Sequence, residues 1–481
     1  MIPPLALEVG IVCLGIFLLM LDAFWPRLEK QVIGWIAIGG VLVVFAASFC
    51  LGDVPWALSA SGFYRLDASA LFFKQIALLA TALTILTAMD YSPVFCRYVP
   101  AAVPGAGLGE FYTLPLFACA GMMWMASAAD FIMVFVALEL VTITFYVLVA
   151  SMRKSKLSLE AGVKYLILGA LSTGFLVYGI TWIFGMSGQT SLDGLARIMP
   201  ELAVESRVPL LFGFGLVLVA LGFKVAAVPF QFWVPDVYQG APTPVTAFLS
   251  VASKAAGFIV LLRVVEPFMV VPEIRDKALL ALGVIAGATL LYGNLAAMPQ
   301  SNFKRLLAYS SIAHAGYLLL GVASITSGTA GVAISFYLAG YLVMTFSSFL
   351  VLVIVSRETG SEDISSFNGL SQRSPFLAFV LMLALLSLAG LPFTVGFLGK
   401  FLIFESALAS GLYVLSGIGA VAVACGFYYY FKVVRAIYWQ PAAEGASEIR
   451  VPGPTRLVLG LLAVTTVVLG VFPQPILALL R

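Results

Sequence analysis

The chain has 481 residues, 62% of them hydrophobic and 10% charged, with a net charge of only +3. That composition excludes a soluble globular protein, and the small charge gives no footing for nucleic acid. The apolar runs are continuous rather than alternating, which excludes a β-barrel and predicts an all-α polytopic membrane protein.

A bilayer core of about 30 Å takes roughly 20 apolar residues per helix. Fourteen such runs follow in order: 4–24, 31–51, 68–90, 111–128, 130–150, 162–184, 208–230, 243–266, 277–297, 304–322, 328–355, 375–409, 411–436 and 455–475. The first lacks a basic leader and a cleavage site, so it reads as a retained helix. The seventh carries Pro229 and the twelfth carries GLPFTVG at 390–396. Both read as broken helices, because proline removes a backbone donor and frees a carbonyl. They stand five helices apart and cross in opposite directions, as an inverted repeat of helices 4–8 and 9–13 requires. The chain then divides into an N-terminal three-helix segment (1–110), a first five-helix repeat (111–266), a second, inverted repeat (267–436) and a C-terminal helix (437–481).

Lysine and arginine set the orientation. With the N-terminus outside, 14 of them fall in cytoplasmic loops and 7 outside, and the remaining five, Lys74, Lys164, Lys224, Lys254 and Lys400, lie inside apolar runs. Both termini are therefore expected on the outer side. An ammonium at the bilayer centre costs about 3 kcal/mol on insertion scales, so lysines there are functional suspects. Glu139, Lys224 and Lys254 each lie 12 residues from a cytoplasmic turn, which is roughly 18 Å along a helix. Lys164 is roughly 12 Å deep and Lys400 roughly 15 Å in from the outer turn. One carboxylate and four ammonium groups thus share a middle layer.

Lysine suits proton relay because it exchanges charged and neutral forms when desolvated, which arginine does not. The bland alternatives are a static ion pair for Glu139 with Lys224, a pore-lining cation for Lys254, and a packed interfacial residue for Lys164. Lys74, about six residues into its helix, reads as snorkelling. Glu405 reads as a solvated helix end. His314, the only histidine, lies in a polar seam with Tyr309, Ser310, Ser311 and Tyr317; relay and packing both fit it. The five cysteines, Cys13, Cys50, Cys96, Cys119 and Cys425, have no metal-binding spacing, and no phosphate-binding glycine loop follows a strand. No cofactor is expected on this chain.

Three segments carry a resemblance: FKVAAVPFQFWVPDVYQGAPTPVTAFLSVASKAAGF (223–258), NFKRLLAYSSIAHAGY (302–317) and GLPFTVGFLGKFLIF (390–404). They resemble the antiporter-like membrane subunits of proton-pumping NADH:quinone oxidoreductase, respiratory complex I. DVYQGAPTPV and Lys254 are most similar to the N branch. The resemblance implies proton translocation, with Glu139 and Lys224 as a coupled pair, Lys164 and Lys254 as central connectors and Lys400 on the exit side. It implies NADH, FMN, iron–sulfur clusters and quinone on other subunits. It also implies an M-like antiporter subunit and K/J-like small subunits on the lateral faces, surrounding lipids, and a bacterial inner membrane. Gln231 departs from the family, which usually has a histidine there. The alternative is a subunit of a cation/proton antiporter, although no cluster of buried Asp or Glu suggests a sodium site.

Overall fold

The computed structural model describes residues 5–50, 62–99, 105, 107–442 and 447–480. Both chain termini, whose side was read from charge, lie outside those residues. Among the described residues the structure is helical, with only three isolated bridges between loops. In order the helices are α1 (Ala6–Phe24), α2 (Lys30–Ser48), α3 (Ala68–Tyr98), α4 (Leu108–Ser127), α5 (Phe131–Val149), α6 (Lys156–Ser187), α7 (Leu192–Ile198) and α8 (Val204–Val225). There follow α9 (Trp233–Gly240), α10 (Thr243–Phe248), a π turn (Leu249–Ser253), α11 (Lys254–Val265), α12 (Pro272–Ala297), α13 (Phe303–Ala323) and α14 (Ala330–Thr359). The last are α15 (Leu370–Arg373), α16 (Pro375–Ala389), α17 (Val395–Ala409), α18 (Tyr413–Trp439), α19 (Gly453–Val471) and α20 (Gln474–Leu479).

Local chemistry sets the helix ends. Asp67, Asp130, Ser155, Ser191 and Asn302 each cap a helix by accepting a hydrogen bond from a first-turn amide. We call the face from which α1 sets out the upper face. Loops at that face are tied by the Tyr64–Ala128 and Asp130–Ser191 bridges, and the lower face by Asn302–Asp363.

Twelve of these stretches are long and apolar enough to cross a membrane. The other two expected spans are α4, 20 residues long, and the pair α16 and α17, 15 residues each. The π turn joins α10 to α11 in one span, Thr243–Met269. This span, α13 and α14 are almost wholly enclosed, while α1, α2 and α6 are mostly open to the surroundings. The lysine-bearing helices α8 and α17 pack against that enclosed centre, α8 on α11 and α17 on α13 and α14.

The two expected breaks are present. α8 ends at Val225 with Ala226 in the left-handed region (φ 67°), and the chain runs irregularly to α9. α16 ends at Ala389 with Gly390 at φ 96°, where glycine removes the Cβ clash, and α17 starts at Val395. The π turn is a third irregularity, and neither proline nor glycine marks it within 249–253.

Candidate functional site

The lower mouth forms around α9. Asp236 accepts from Lys164 Nζ at 2.7 Å and from Arg305 Nη1 at 2.9 Å, and Arg305 also reaches Gln239 at 2.8 Å. Partial burial would raise the Asp236 carboxyl, but the bonds from Lys164 and Arg305 outweigh it and hold it below the usual carboxylate range. Lys164 corrects the expectation of a buried connector: its side chain is 41% exposed and it binds Glu160 as well as Asp236. Sequence depth measures distance along a helix and not its azimuth, and α6 is peripheral. Deeper in the same mouth, buried Lys304 binds the Ala241 carbonyl at 2.6 Å and Glu362 at 3.1 Å.

Lys224, 4% exposed, lies in the last turn of α8 and donates to Thr142 Oγ1 on α5 at 3.3 Å. Glu139, three residues before Thr142, is half-buried and accepts from Thr173 of α6 at 2.6 Å. The coupled pair expected here is therefore not a direct ion pair. Glu139 and Thr142 stand on α5, and Lys224, on α8, bonds Thr142 and stays within electrostatic reach of Glu139.

Lys254 opens α11 directly after the π turn and is 1% exposed. Its ammonium donates to Ser311 Oγ at 2.5 Å and to the Ser311 carbonyl, and it stands 5.8 Å from the Tyr341 ring. Gly257, one turn on, lets α11 close on α8: a Cβ there would lie 3.3 Å from Lys224 Cγ. From α9, Tyr238 brings its hydroxyl to 3.5 Å from Ser311 Oγ, joining the lower mouth to Lys254.

Ser310, next to Ser311, bonds the Tyr430 hydroxyl of α18. Tyr430 lies 3.0 Å from His314 Nε2, and His314 Nδ1 lies 2.5 Å from the Tyr337 hydroxyl of α14. His314 thus sits inside a hydroxyl chain, with both ring nitrogens engaged and 1% of its surface exposed. Its relay and packing roles both use these contacts. Ser310 and Ser311 belong to the expected seam. Tyr337, Tyr341 and Tyr430 do not follow from its sequence, because they arrive from α14 and α18.

Tyr337 lies against Gly399, where a Cβ would come within 2.4 Å of its ring. The next residue is Lys400, 5% exposed, whose ammonium donates to the Leu388 and Ala389 carbonyls at 2.9 and 3.0 Å and stands 4.8 Å from the Tyr317 ring. Those carbonyls end α16 and have no helical amide ahead of them. The cation also meets the negative end of the α16 dipole. Above it, Ser406 bonds Ser324 at 2.8 Å and Ser327 at 2.7 Å near the upper face. Glu405 is exposed, as expected for a solvated end.

Lys74 does not snorkel. It is completely buried and pairs at 2.7 Å with Glu8 of α1, itself completely buried. Gln231, 1% exposed, occupies the loop between α8 and α9 with its Oε1 unpartnered.

Residues 128–426 match the family described as NADH:quinone oxidoreductase/Mrp antiporter, TM. The chain is 39% identical to NADH-quinone oxidoreductase subunit N of Trichlorobacter lovleyi, over 98% of this chain and 94% of that protein. It belongs to this family, in the subunit N branch. Subunit N of Heliobacterium modesticaldum is 41% identical, over 92% of this chain and 90% of its own length. A solved relative is a chain of respiratory complex I from Thermus thermophilus with bound aureothin, at 31% identity and TM-score 0.81, with 98% of each chain covered. The Mrp complex of a Dietzia species shares the fold at TM-score 0.79 and 22% identity, over 98% of this chain and 95% of that one. The family match starts at the α4–α5 turn and spans Glu139 through Tyr341 and Lys400, while α1, α2 and α3 precede it.

Proposed function

We propose that this chain is a proton-translocating subunit N in the membrane arm of an NADH-quinone oxidoreductase. It moves protons across a bacterial inner membrane as quinone is reduced elsewhere in the complex. On this reading NADH, FMN, iron–sulfur clusters and quinone belong to other subunits. An M-like antiporter subunit and K/J-like small subunits flank it, with lipid filling the gaps. The 14-to-7 bias of basic residues makes the lower face cytoplasmic and the upper face periplasmic.

One observation carries the reading. A buried row of proton-bearing groups runs through the centre: Lys254, Ser311, Ser310, Tyr430, His314 and Tyr337, with Lys224 beside its start and Lys400 at its far end. A static scaffold gains nothing from such desolvated groups that apolar packing would not give at lower cost. Protons enter at the Asp236–Arg305–Lys164 mouth, reach Lys254 by way of Tyr238 and Ser311, and pass the tyrosines and His314 to Lys400. Ser406, Ser324 and Ser327 then lead to the upper face. Glu139, through α5, biases the charge on Lys224.

The test is Lys254→Met in the assembled complex, reconstituted in vesicles. Protons pumped per NADH oxidised should fall while quinone reduction stays measurable. Unchanged pumping at normal quinone reduction would sink the proposal.

A further inference from the structure

The row above leaves one completely buried set of titratable groups unused. Glu8, on α1, and Lys74, on α3, have no exposed surface at all. Tyr64, in the segment leading to α3, completes the set. Lys74 Nζ lies 2.7 Å from Glu8 Oε1 and 2.6 Å from the Tyr64 hydroxyl, which in turn donates to Glu8 Oε1 at 3.2 Å.

The arrangement is lopsided. Both donors meet the same carboxylate oxygen, and Glu8 Oε2 is buried without a hydrogen-bond partner. A pair built only to fasten two helices would satisfy both oxygens, because a bare buried acceptor is costly, above all on a charged group. Oε2 is instead a vacant, desolvated proton acceptor. When it takes a proton, the set goes from ammonium plus carboxylate to ammonium plus carboxylic acid, with one positive charge gained and no contact on Oε1 broken.

Lys74 is within electrostatic reach of Asp67 and Arg263, which lie towards the upper face. Three residues beyond Tyr64, Asp67 caps α3 through Ala70 N at 2.7 Å and binds Arg263 Nη2 at 2.9 Å. Arg263 is 4% exposed, and its Nε and Nη1 are buried without partners. Both side chains line a cleft of about 370 Å³ together with Arg65, Ser69 and Glu266. Buried unpaired guanidinium donors beside carboxylates fit a cleft that holds ordered water. Arg263 also lies on α11, two and a half turns above Lys254, so the helix that carries the central lysine reaches this cluster. Facing the set from the other elements packed on it are Cys119 of α4 and Ser127 at the end of α4.

Resting on the proton-translocation reading, we infer that Glu8, Lys74 and Tyr64 form a second proton-holding site, lateral to the central row. Through the Asp67–Arg263 cleft it exchanges protons with the upper face. It takes up a proton on Glu8 Oε2; a turn of the carboxyl group then brings the protonated oxygen to the Tyr64 hydroxyl, which passes the proton on towards the cleft. Its placement on α1 and α3 puts it outside the residues that the family match covers.

The experiment uses the assembled complex in vesicles with Glu8→Gln, with Lys74→Met and with both together, beside Lys254→Met. Glu8→Gln keeps an acceptor for Tyr64 but removes both the proton-holding group and the charge that Lys74 pairs with, so the double variant is the decisive arm. The expected result is a loss of protons pumped per NADH in Glu8→Gln and in the double variant, with quinone reduction retained. A purely structural pair gives the opposite pattern: the single variants assemble poorly, and the double variant, which leaves no buried charge, assembles and pumps at the full ratio. That pattern would overturn the inference. Should the single variants fail to assemble, the double variant decides alone. Lys254→Met separates the two claims. If it loses pumping while the double variant pumps fully, only the lateral site is refuted; if it too pumps fully, the proton-translocation reading falls with it.

Discussion

Replacing Lys400 separates a proton carrier from a structural clamp. Its ammonium holds the Leu388 and Ala389 carbonyls at 2.9 and 3.0 Å, across the gap between α16 and α17. Lys400→Met removes both donors and strands two buried acceptors. At about 1–3 kcal/mol for each stranded acceptor, the cost is about 2–6 kcal/mol, with up to about 2 kcal/mol more from the lost charge at the helix end. Lys400→Arg keeps the charge and enough donors for both carbonyls, but a guanidinium stays protonated throughout the physiological range. The assay is proton pumping per NADH in reconstituted vesicles, paired with thermal unfolding of the complex. The methionine variant should lose both pumping and stability. The arginine variant should stay close to native stability and still lose pumping. Native-like pumping by the arginine variant would refute proton transfer at this residue and leave a clamp.

Two further outcomes follow from the geometry. Gly257→Val puts a side chain against Val225 Cγ1 at 2.9 Å and Lys224 Cγ at 3.3 Å; overpacking of this kind costs about 1–3 kcal/mol, so unfolding temperature and pumping should both fall, and an unchanged melt would show that α8 and α11 are not held this closely. For Asp236→Asn the sign is fixed by the depressed carboxyl. Its ion pairs contribute fully above the ordinary carboxylate range and are lost as pH falls through the lowered value. With both side chains more than a third exposed, the pair with Lys164 is worth at most about 1 kcal/mol. The variant should melt slightly below the native protein at neutral pH, and the two should converge in acid; a gap that widens in acid would contradict the pairing.

What could be read before folding was whatever depends on one helix at a time. The break at 390–396 and the breakdown after Lys224 follow from proline and glycine chemistry, and the carbonyls freed beside Lys400 are those the break predicts. A helical count to the nearest turn holds for Lys400, whereas the 12 residues counted for Lys224 run beyond the end of α8 at Val225 and are not a helical rise. Azimuth does not follow from any count. Lys164 and Lys224 count as similar on a ruler, yet one lies on a peripheral helix facing outward and the other faces the centre. The same gap hid Glu8, whose partner lies 66 positions away on another helix, and it made Lys74 read as snorkelling. The tyrosines around His314 were illegible for the same reason, since α13, α14 and α18 meet only in the packed bundle. The π turn had no signal at all: LSVAS is ordinary helical sequence, and only its neighbours select the wider turn.

That turn has a mechanical consequence. Leu249–Ser253 holds one residue more than an α-helix of the same rise would need. Pulling this slack out, while α10 stays anchored at the lower mouth, turns everything after it by about 100° about the helix axis and advances it by about 1.5 Å. Lys254 is the first residue past the slack. A single-residue slip would therefore swing its ammonium away from Ser311, and Arg263, farther along the same helix, would turn with it.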